Sequence, residues 1–405
     1  VAWDVRPARD REEFKAALGA ISHYFGGGPD DDRSERFGRV LPLERMHAAF
    51  DGDRIVGGAG AFPFQLTVPG GVVACGGVTV VGVLPTHRRR GVLTAMMRAQ
   101  LEDIRRRGEP VAALWASEEV IYRRFGYGMA SLAGEVAIPS GYTGLRQPPD
   151  ETARTRLVTL EEAKSILPAV YDRVRSRTPG MFERSEAWWE LRNLADPPDR
   201  RQGGGEKTVL VLELGGEPAG YALYRIFAKI EQGSSAGHVE VLEALGDGAV
   251  ATRELWRVLL DMDWLATLKA FLLPIDHPLV HQLRYPRRLQ MRVGDGLWVR
   301  LVDVGAALSA RAYGAGGPVV LEVEDTFLPG NAGRWRLAGG GAERTDQPAD
   351  LALDVGELGA AYLGGFTFGE LLRAGVLREL KDGGAARADA LFLTGAPKPW
   401  CPEIF

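Results

Sequence analysis

The chain has 405 residues, 45% of them hydrophobic and 25% charged, and its 49 basic and 53 acidic side chains leave a formal net charge of −4. That length exceeds one ordinary hydrophobic core and predicts two or three domains of a globular protein. The slightly acidic balance argues against a nucleic-acid binder, and the two cysteines, Cys75 and Cys401, argue against a disulfide framework or a cysteine-rich zinc site.

Residues 1–14 carry charges throughout, without an apolar core of signal-peptide length, and no apolar run approaches the roughly 20 residues that cross a bilayer. These features predict a cytoplasmic protein with no membrane or nucleic-acid partner. Residues 12–21 follow as a helix and 26–32 (GGGPDDD) as a flexible loop. Residues 54–62 and 72–83 read as strands joined by a turn at Pro69-Gly70-Gly71.

The run VTVVGVLPTHRRRGVLTAMMRAQLEDIRRRG, residues 78–108, is the most informative. Its first six residues form a nearly continuous apolar stretch, as in a buried strand, which Pro85-Thr86 break. Beyond Gly91, Leu93, Met96, Met97, Leu101 and Ile104 recur at helical spacing. A buried strand at 111–116 and a short helix at 118–124 complete a strand–loop–helix–strand–helix unit, which suits a mixed α/β sheet.

A second region, about 154–300, echoes the first. LGGEPAGYALYRI mirrors DGDRIVGGAGAF, a strand follows at 238–245, and an amphipathic helix is expected over 252–268. The linking GDGAVAT lacks the basic residues found before Gly91, which suggests a duplicated fold whose second copy lost its ligand loop. His277 and His281 straddle Pro278, which argues against a helix presenting both to a metal, so no metal is expected. The third region, from about 301, has strand-like 319–323, 334–337 and 351–355, helical 357–362 and 368–374, and a loop at 339–344. Its end, Trp400-Cys401-Pro402-Glu403-Ile404-Phe405, has no polar tail and is expected to be docked.

Arg88-Arg89-Arg90-Gly91-Val92-Leu93 joins a buried strand to the start of a helix. The unpaired N–H groups of a first helical turn attract phosphates, Gly91 admits close approach of the backbone, and the arginines add charge-assisted contacts. Neither the GK[ST] ending of a Walker loop nor GxGxxG is present. About 31 residues beyond Gly91, Ile121-Tyr122-Arg123-Arg124-Phe125-Gly126-Tyr127 opens on a short helix and closes on a glycine turn.

Together the two segments resemble the GNAT acyltransferase superfamily, in which a basic glycine loop follows the central strand and a Tyr-x-x-x-Gly-aromatic element comes later. The resemblance implies acetyl-CoA as cosubstrate. Val81, Gly82 and Val83 would pair with its pantetheine, and Arg88, Arg89, Arg90, Gly91, Val92, Leu93 and Thr94 would surround its pyrophosphate. Ser117 and Glu118 would line the other side. Acyl transfer to an amine needs a proton for the leaving thiolate and removal of one from the attacking ammonium. Tyr122, with an ordinary pKa of about 10, suits the first task. The strand 78–83 has no acid, and Glu118 and Glu119 fall at a helix start. The base must therefore come from outside the first domain, or the substrate must arrive neutral.

PTHRRRG, ALWASEEVIYRRFGYG, YALYR, DGLWVRLVDV and the terminal phenylalanine resemble, over nearly the whole chain, the Eis (enhanced intracellular survival) family. That resemblance implies an α/β (mixed α+β) architecture of tandem GNAT folds: an active one at 1–145 and a degenerate one at 146–300. A sterol-carrier-protein-like domain at 301–405 would follow. It implies homohexamers that acetylate amines of aminoglycosides, polyamines or lysine-like groups, with Tyr122 as general acid and the terminal carboxylate of Phe405 as general base. Direct transfer from an ammonium near 10 to a carboxylate near 3.5 would cost roughly 9 kcal/mol, which favours proton loss as the amine attacks. The family often has histidine where Trp115 stands. Tyr24, Phe25 and Phe37 match it only loosely and are expected, with Trp115, to wall the amine cleft. Two other readings remain: a protein lysine acetyltransferase, and a lipid or sterol binder suggested by the third domain.

Overall fold

The apolar strands around residue 80 become the centre of a seven-stranded sheet in the computed structural model, which describes residues 3–405. Strands β1 (Asp4–Pro7), β2 (Met46–Asp51), β3 (Arg54–Val68) and β4 (Gly71–Val83) are antiparallel neighbours; β5 (Val111–Trp115) joins β4 in parallel, and β6 (Gly128–Met129) lies at the far edge. Helices α1 (Arg11–Ser22), α2 (Asp31–Gly38), α3 (Val92–Arg106) and α4 (Glu119–Tyr122) connect them. The expected loop over 26–32 ends early. Asp30 accepts the Arg33 backbone N–H at 2.6 Å, an N-cap that starts α2 at Asp31.

The second stretch contains β7 (Leu132–Pro139), β8 (Ala153–Val158), β9 (Thr208–Leu214), β10 (Glu217–Phe227), a small hairpin of β11 (Ile230–Glu231) and β12 (Ser234–Ser235), then β13 (His238–Gly246), β14 (Thr267–Leu273) and β15 (Arg292–Asp295). Its helices are α5 (Leu160–Arg175), α6 (Glu186–Trp188), α7 (Ala249–Leu260) and α8 (Leu279–Gln282). The helix expected over 252–268 is α7, which stops at Leu260. Leu268 and Ala270 are buried and alternate with exposed Lys269 and Phe271, the period of a strand, although Leu265 and Leu268 extend the helical spacing by coincidence. His277 is buried, its ring 5.1 Å from that of Trp256, and burial pulls its pKa down to about 3.

The third stretch contributes β16 (Leu297–Leu301), α9 (Val304–Ser309), β17 (Val319–Glu324), β18 (Gly333–Ala338), β19 (Gly341–Arg344), β20 (Leu351–Asp354), α10 (Val355–Tyr362), α11 (Phe368–Arg373), β21 (Leu377–Glu379) and α12 (Gly384–Phe392). The loop expected at 339–344 is the hairpin from β18 to the short polar edge strand β19, which carries no apolar alternation to announce it. A five-stranded sheet runs β19-β18-β17-β20-β21. Buried α10 packs against β16: a side chain at Gly359 would press on the Val299 carbonyl. Fully buried Arg300 pairs with Asp325 at 2.7 Å.

The compact units do not follow the expected cuts at 145/146 and 300/301. One unit comprises the residues up to 131 with 297–396 and 403–405; the other comprises 132–296 with 397–402. The physical reason is strand exchange. The first sheet runs β1-β2-β3-β4-β5-β16-β6, with Val299 opposite Ala113. The second runs β8-β9-β10-β13-β14-β7-β15, with Val136 opposite Ala270. The order is the same, and each sixth strand lies across the expected 145/146 cut from the rest of its sheet: β16, from Leu297, completes the first, and β7, up to Pro139, the second. Among the described residues no helix is long and apolar enough to cross a membrane.

Candidate active site

Parallel pairing of β4 with β5 covers only Cys75, Gly76 and Gly77, opposite Val111, Ala112 and Ala113. Beyond Gly77, β4 continues to Val83, while β5 is held on its other side by β16, with Trp115 opposite Leu297. The two strands therefore separate. On the β3 side the register jumps from Gly60↔Thr79 to Gly58↔Gly82, so three steps along β4 oppose two along β3. This is a β-bulge, and Val80 within it has a φ of 48°. A β-branched residue there stores strain of about 1–3 kcal/mol, the kind of local cost that clusters at ligand sites. The result is an edge at 78–83 facing away from β3, suited to pairing with the amides of an extended ligand.

The same strand leads to the arginine loop. Arg89 (φ 61°) and Gly91 (φ 85°) both adopt left-handed backbone, which turns the chain into α3 at Val92. No side chain caps α3, so its first N–H groups face outward beside exposed Arg88, Arg89, Arg90 and Thr94. Among the described residues none of these arginines has an ion-pair partner. The loop is braced from behind. The Trp3 indole N–H donates to the Arg90 carbonyl at 2.9 Å, the Arg90 guanidinium lies 5.2 Å from the Trp3 ring centre, and His87 Nε2 lies 3.0 Å from Asp51 Oδ2. A splayed strand edge ending in an uncapped cationic helix start fits pantetheine followed by pyrophosphate.

Tyr122 is buried in an apolar cluster with Val78 and Leu114, the residues at which β4 and β5 part, and half-buried Val81 and Leu93 pack against it. Burial raises its pKa, a hydrogen bond with Ser117 opposes that shift, and the Glu118 carboxylate adds to it. Tyr122 thus remains a neutral phenol through the physiological range. Ser117 and Glu118, expected along the cofactor, stand exposed after β5, where both also act on Tyr122. Arg123 pairs with Glu357 of α10, and the Arg300 guanidinium lies where a side chain on Gly126 would project. The motif is thereby fixed from the third stretch of the chain. Tyr127 is fully buried, its ring edge-on to that of Tyr122 at 6.0 Å.

Phe405 lies on the same sheet. Its ring meets Phe64 edge-on at 5.0 Å and Phe62 at 6.4 Å, and Phe62 stacks with Phe37 at 6.2 Å. Gly77, the last β4 residue paired with β5, leaves room for these rings. A Cβ on it would collide with Phe64 and stand 3.4 Å from the Phe405 ring. Phe37 and Phe405 thus both border the Phe62 ring. Tyr24 lies elsewhere than a separate wall: its hydroxyl donates to the Val83 carbonyl at 2.6 Å, at the end of the strand assigned to the cofactor. Phe25 is 75% exposed. Trp115 closes β5, and its buried indole N–H has no acceptor among the described residues. Sequence reasoning missed Phe62, Phe64 and Trp3. The first two share a face at i and i+2 on β3, a period-2 signal that could have flagged them.

Comparison with known proteins gives three family matches along the chain: an acetyltransferase (GNAT) domain over residues 4–130, a second acetyltransferase (GNAT) domain over 180–301, and a sterol carrier protein domain over 304–402. The chain is 42% identical over 411 residues to an uncharacterized N-acetyltransferase of Streptomyces avermitilis, covering 99% of each protein. It is 35% identical over 367 residues to N-acetyltransferase Eis of Mycobacterium tuberculosis, 85% of each. The crystal structure of Eis1 from Mycobacterium abscessus superposes with a TM-score of 0.87 at 37% identity, covering 99% of this chain and 100% of that one.

Proposed function

Since this chain belongs to the Eis family of GNAT N-acetyltransferases, we propose that it acetylates primary amines of aminoglycosides, polyamines or similar lysine-like small molecules, at more than one position of a substrate. The observation that supports this reading most is the parting of β4 from β5 just past Gly77: the Phe405 ring packs at Gly77, and the next residue, Val78, clusters with Tyr122.

Acetyl-CoA supplies the acetyl group as a thioester. Val81, Gly82 and Val83 pair with its pantetheine, the backbone and side chains from Arg88 to Thr94 hold its pyrophosphate, and Ser117 and Glu118 flank it. Tyr122 gives its phenolic proton to the departing sulfur, and the pKa raised by burial keeps that proton in place until charge develops. The Phe405 α-carboxylate first orients the substrate ammonium and then takes its proton as the N–C bond forms, because the amine becomes more acidic during attack. The products are an amide and free thiol, and the proton gained at Phe405 balances the one lost from Tyr122. Phe37 and Trp115 wall the amine cleft, the latter with an indole N–H able to meet a substrate oxygen.

Initial rates of thiol release with an aminoglycoside, a polyamine and a lysine peptide test the reading. Turnover of the small amines supports it. Turnover confined to the peptide makes the protein a lysine acetyltransferase, and tight sterol binding without turnover returns the lipid-binding reading. The family resemblance further implies a homohexamer, which light scattering in solution checks.

A further inference from the structure

Tyr24, expected as a wall of the amine cleft, stands instead at the end of the open β4 edge. The Leu84 backbone N–H donates to the Val56 carbonyl at 2.8 Å, which makes Val83 and Gly57 a non-hydrogen-bonded pair of the β3–β4 ladder. Both backbone groups of Val83 therefore point away from β3, onto the edge that β5 has left. The carbonyl is taken, because the Tyr24 hydroxyl donates to it at 2.6 Å. The N–H points the same way and has no strand beside it among the described residues. Glycines bring Tyr24 there. A Cβ on Gly58 would collide with the Ala17 carbonyl and one on Gly82 with Ile21, so α1 lies directly on β3 and β4. A single tight turn, His23–Phe25, carries Tyr24 over the edge, and Gly26 (φ 74°) leads the chain away.

The second sheet supplies a contrast. Parallel pairing of β13 with β14 runs from His238↔Thr267 to Val241↔Ala270 and stops, although β13 continues to Gly246 and β14 to Leu273. The register of β10 on β13 jumps from Leu223↔Glu243 to Tyr224↔Val241, which leaves Leu242 as an extra residue, a bulge like that at Val80. There a side chain fills the gap. The Trp400 indole N–H donates to the Leu272 carbonyl at 2.5 Å, and its ring packs with Trp189, Tyr221, Leu223 and Leu245. In the first sheet Tyr24 stands only at the end of the edge, on the side of the arginine loop, and its ring is 43% exposed.

We propose that Tyr24 is a cofactor-binding residue: its hydroxyl oxygen and the Val83 N–H form an acceptor–donor pair that recognises the α-hydroxy amide of the pantoyl unit. The inference rests on the reading that acetyl-CoA lies along β4. The Tyr24 proton is committed to the Val83 carbonyl, so its oxygen is left to accept. The Val83 N–H, on the same side of the strand, is left to donate. Pantetheine begins beside the pyrophosphate with the pantoyl unit, which carries a hydroxyl donor and an amide carbonyl acceptor on adjacent carbons. That order matches the chain, which runs from Val78 beside Tyr122, through Val83, to the arginines. The ligand carbonyl takes the Val83 N–H and the ligand hydroxyl donates to Tyr24. A site built to meet a hydroxyl disfavours a ligand that lacks one, because its polar partner is then left unpaired.

The test is isothermal titration of the full-length protein, as wild type and Tyr24→Phe, with three ligands: CoA, CoA whose pantoyl hydroxyl is replaced by hydrogen, and adenosine 3′,5′-bisphosphate. The wild type should bind the deoxy ligand about 3- to 10-fold more weakly than CoA. Tyr24→Phe, which keeps the ring, should bind CoA more weakly by a similar factor and no longer tell the two ligands apart, the signature of a direct coupling. The bisphosphate, which has no pantetheine, should bind both proteins equally. An unchanged CoA affinity in Tyr24→Phe, as for a wall of the amine cleft, overturns the proposal. So do losses that simply multiply, or an equal weakening of the bisphosphate. If Tyr24→Phe does not fold, Tyr24→Ser, whose short hydroxyl does not reach the edge, carries the comparison. Equal binding of CoA and its deoxy form by the wild type overturns the proposal without any variant. A wild type that binds neither CoA nor the bisphosphate instead removes the cofactor reading itself.

Discussion

The two GNAT-like sheets share strand order, a bulge on the central strand and a parting of that strand from its parallel neighbour, yet they differ in what stands in the gap. In the first, the edge at 78–83 is open and leads to an uncapped helix beside three arginines that lack ion-pair partners among the described residues. In the second, Trp400 fills the gap, and the turn before α7 carries Asp247, whose carboxylate is held by Arg173 and Arg177. That copy also has an acid on its central strand, Glu243, but Arg184 and Tyr221 lock it in a buried network. The bulge and the gap are thus properties of the fold. Ligand capacity comes from the charge of one loop and from whether the gap is occupied.

Substitutions at equivalent places sharpen this contrast. The largest effect is expected from Tyr122→Phe: kcat should fall about 100- to 10,000-fold with little change in the KM for acetyl-CoA, and an unaltered rate would remove Tyr122 from the reaction. Because burial raises the pKa of Tyr122, the acid is fully protonated below its ordinary value, and the basic limb of wild-type kcat should lie above pH 10. Next, joint replacement of Arg88, Arg89 and Arg90 by alanine should raise the KM for acetyl-CoA about 10- to 100-fold, leave kcat, and flatten its dependence on salt. Isothermal titration of the cofactor checks this directly. Asp247→Asn in the other copy should leave cofactor affinity untouched and lower Tm by a few degrees, since Arg173 and Arg177 lose their charged partner.

The smallest effect concerns pH. His277 is buried neutral, with a pKa depressed from 6.5 to about 3. Its contribution is complete above pH 6.5 and is lost as pH falls toward 3, because only the unfolded state takes up the proton in that window. His277→Gln should therefore make the urea midpoint less sensitive to pH between 6.5 and 3. An unchanged slope would show that other groups dominate the acid transition.

What could be read from the sequence was what is local. Residues 78–94 form strand, turn and helix from contiguous residues, so apolar continuity and one glycine reveal the cradle, and the Tyr122 motif is equally self-contained. The pairing of 297–301 with 111–115 is decided by burial in a sheet assembled across nearly two hundred positions, and no local period encodes it. The same holds for Trp3 behind Arg90 and for Arg300 behind Gly126. The overlong helix at 252–268 failed because leucines at 265 and 268 extend the spacing of one element into the next.

The crossed strands also bear on how the protein is made. Emerging from the ribosome, the catalytic half cannot finish its sheet until residue 301 is out, so β5 waits with a bare flank through the synthesis of an entire second fold. A gene fragment stopping at residue 145 would encode every side chain proposed to hold the cofactor and still yield a chain with that flank exposed, prone to stick to its neighbours.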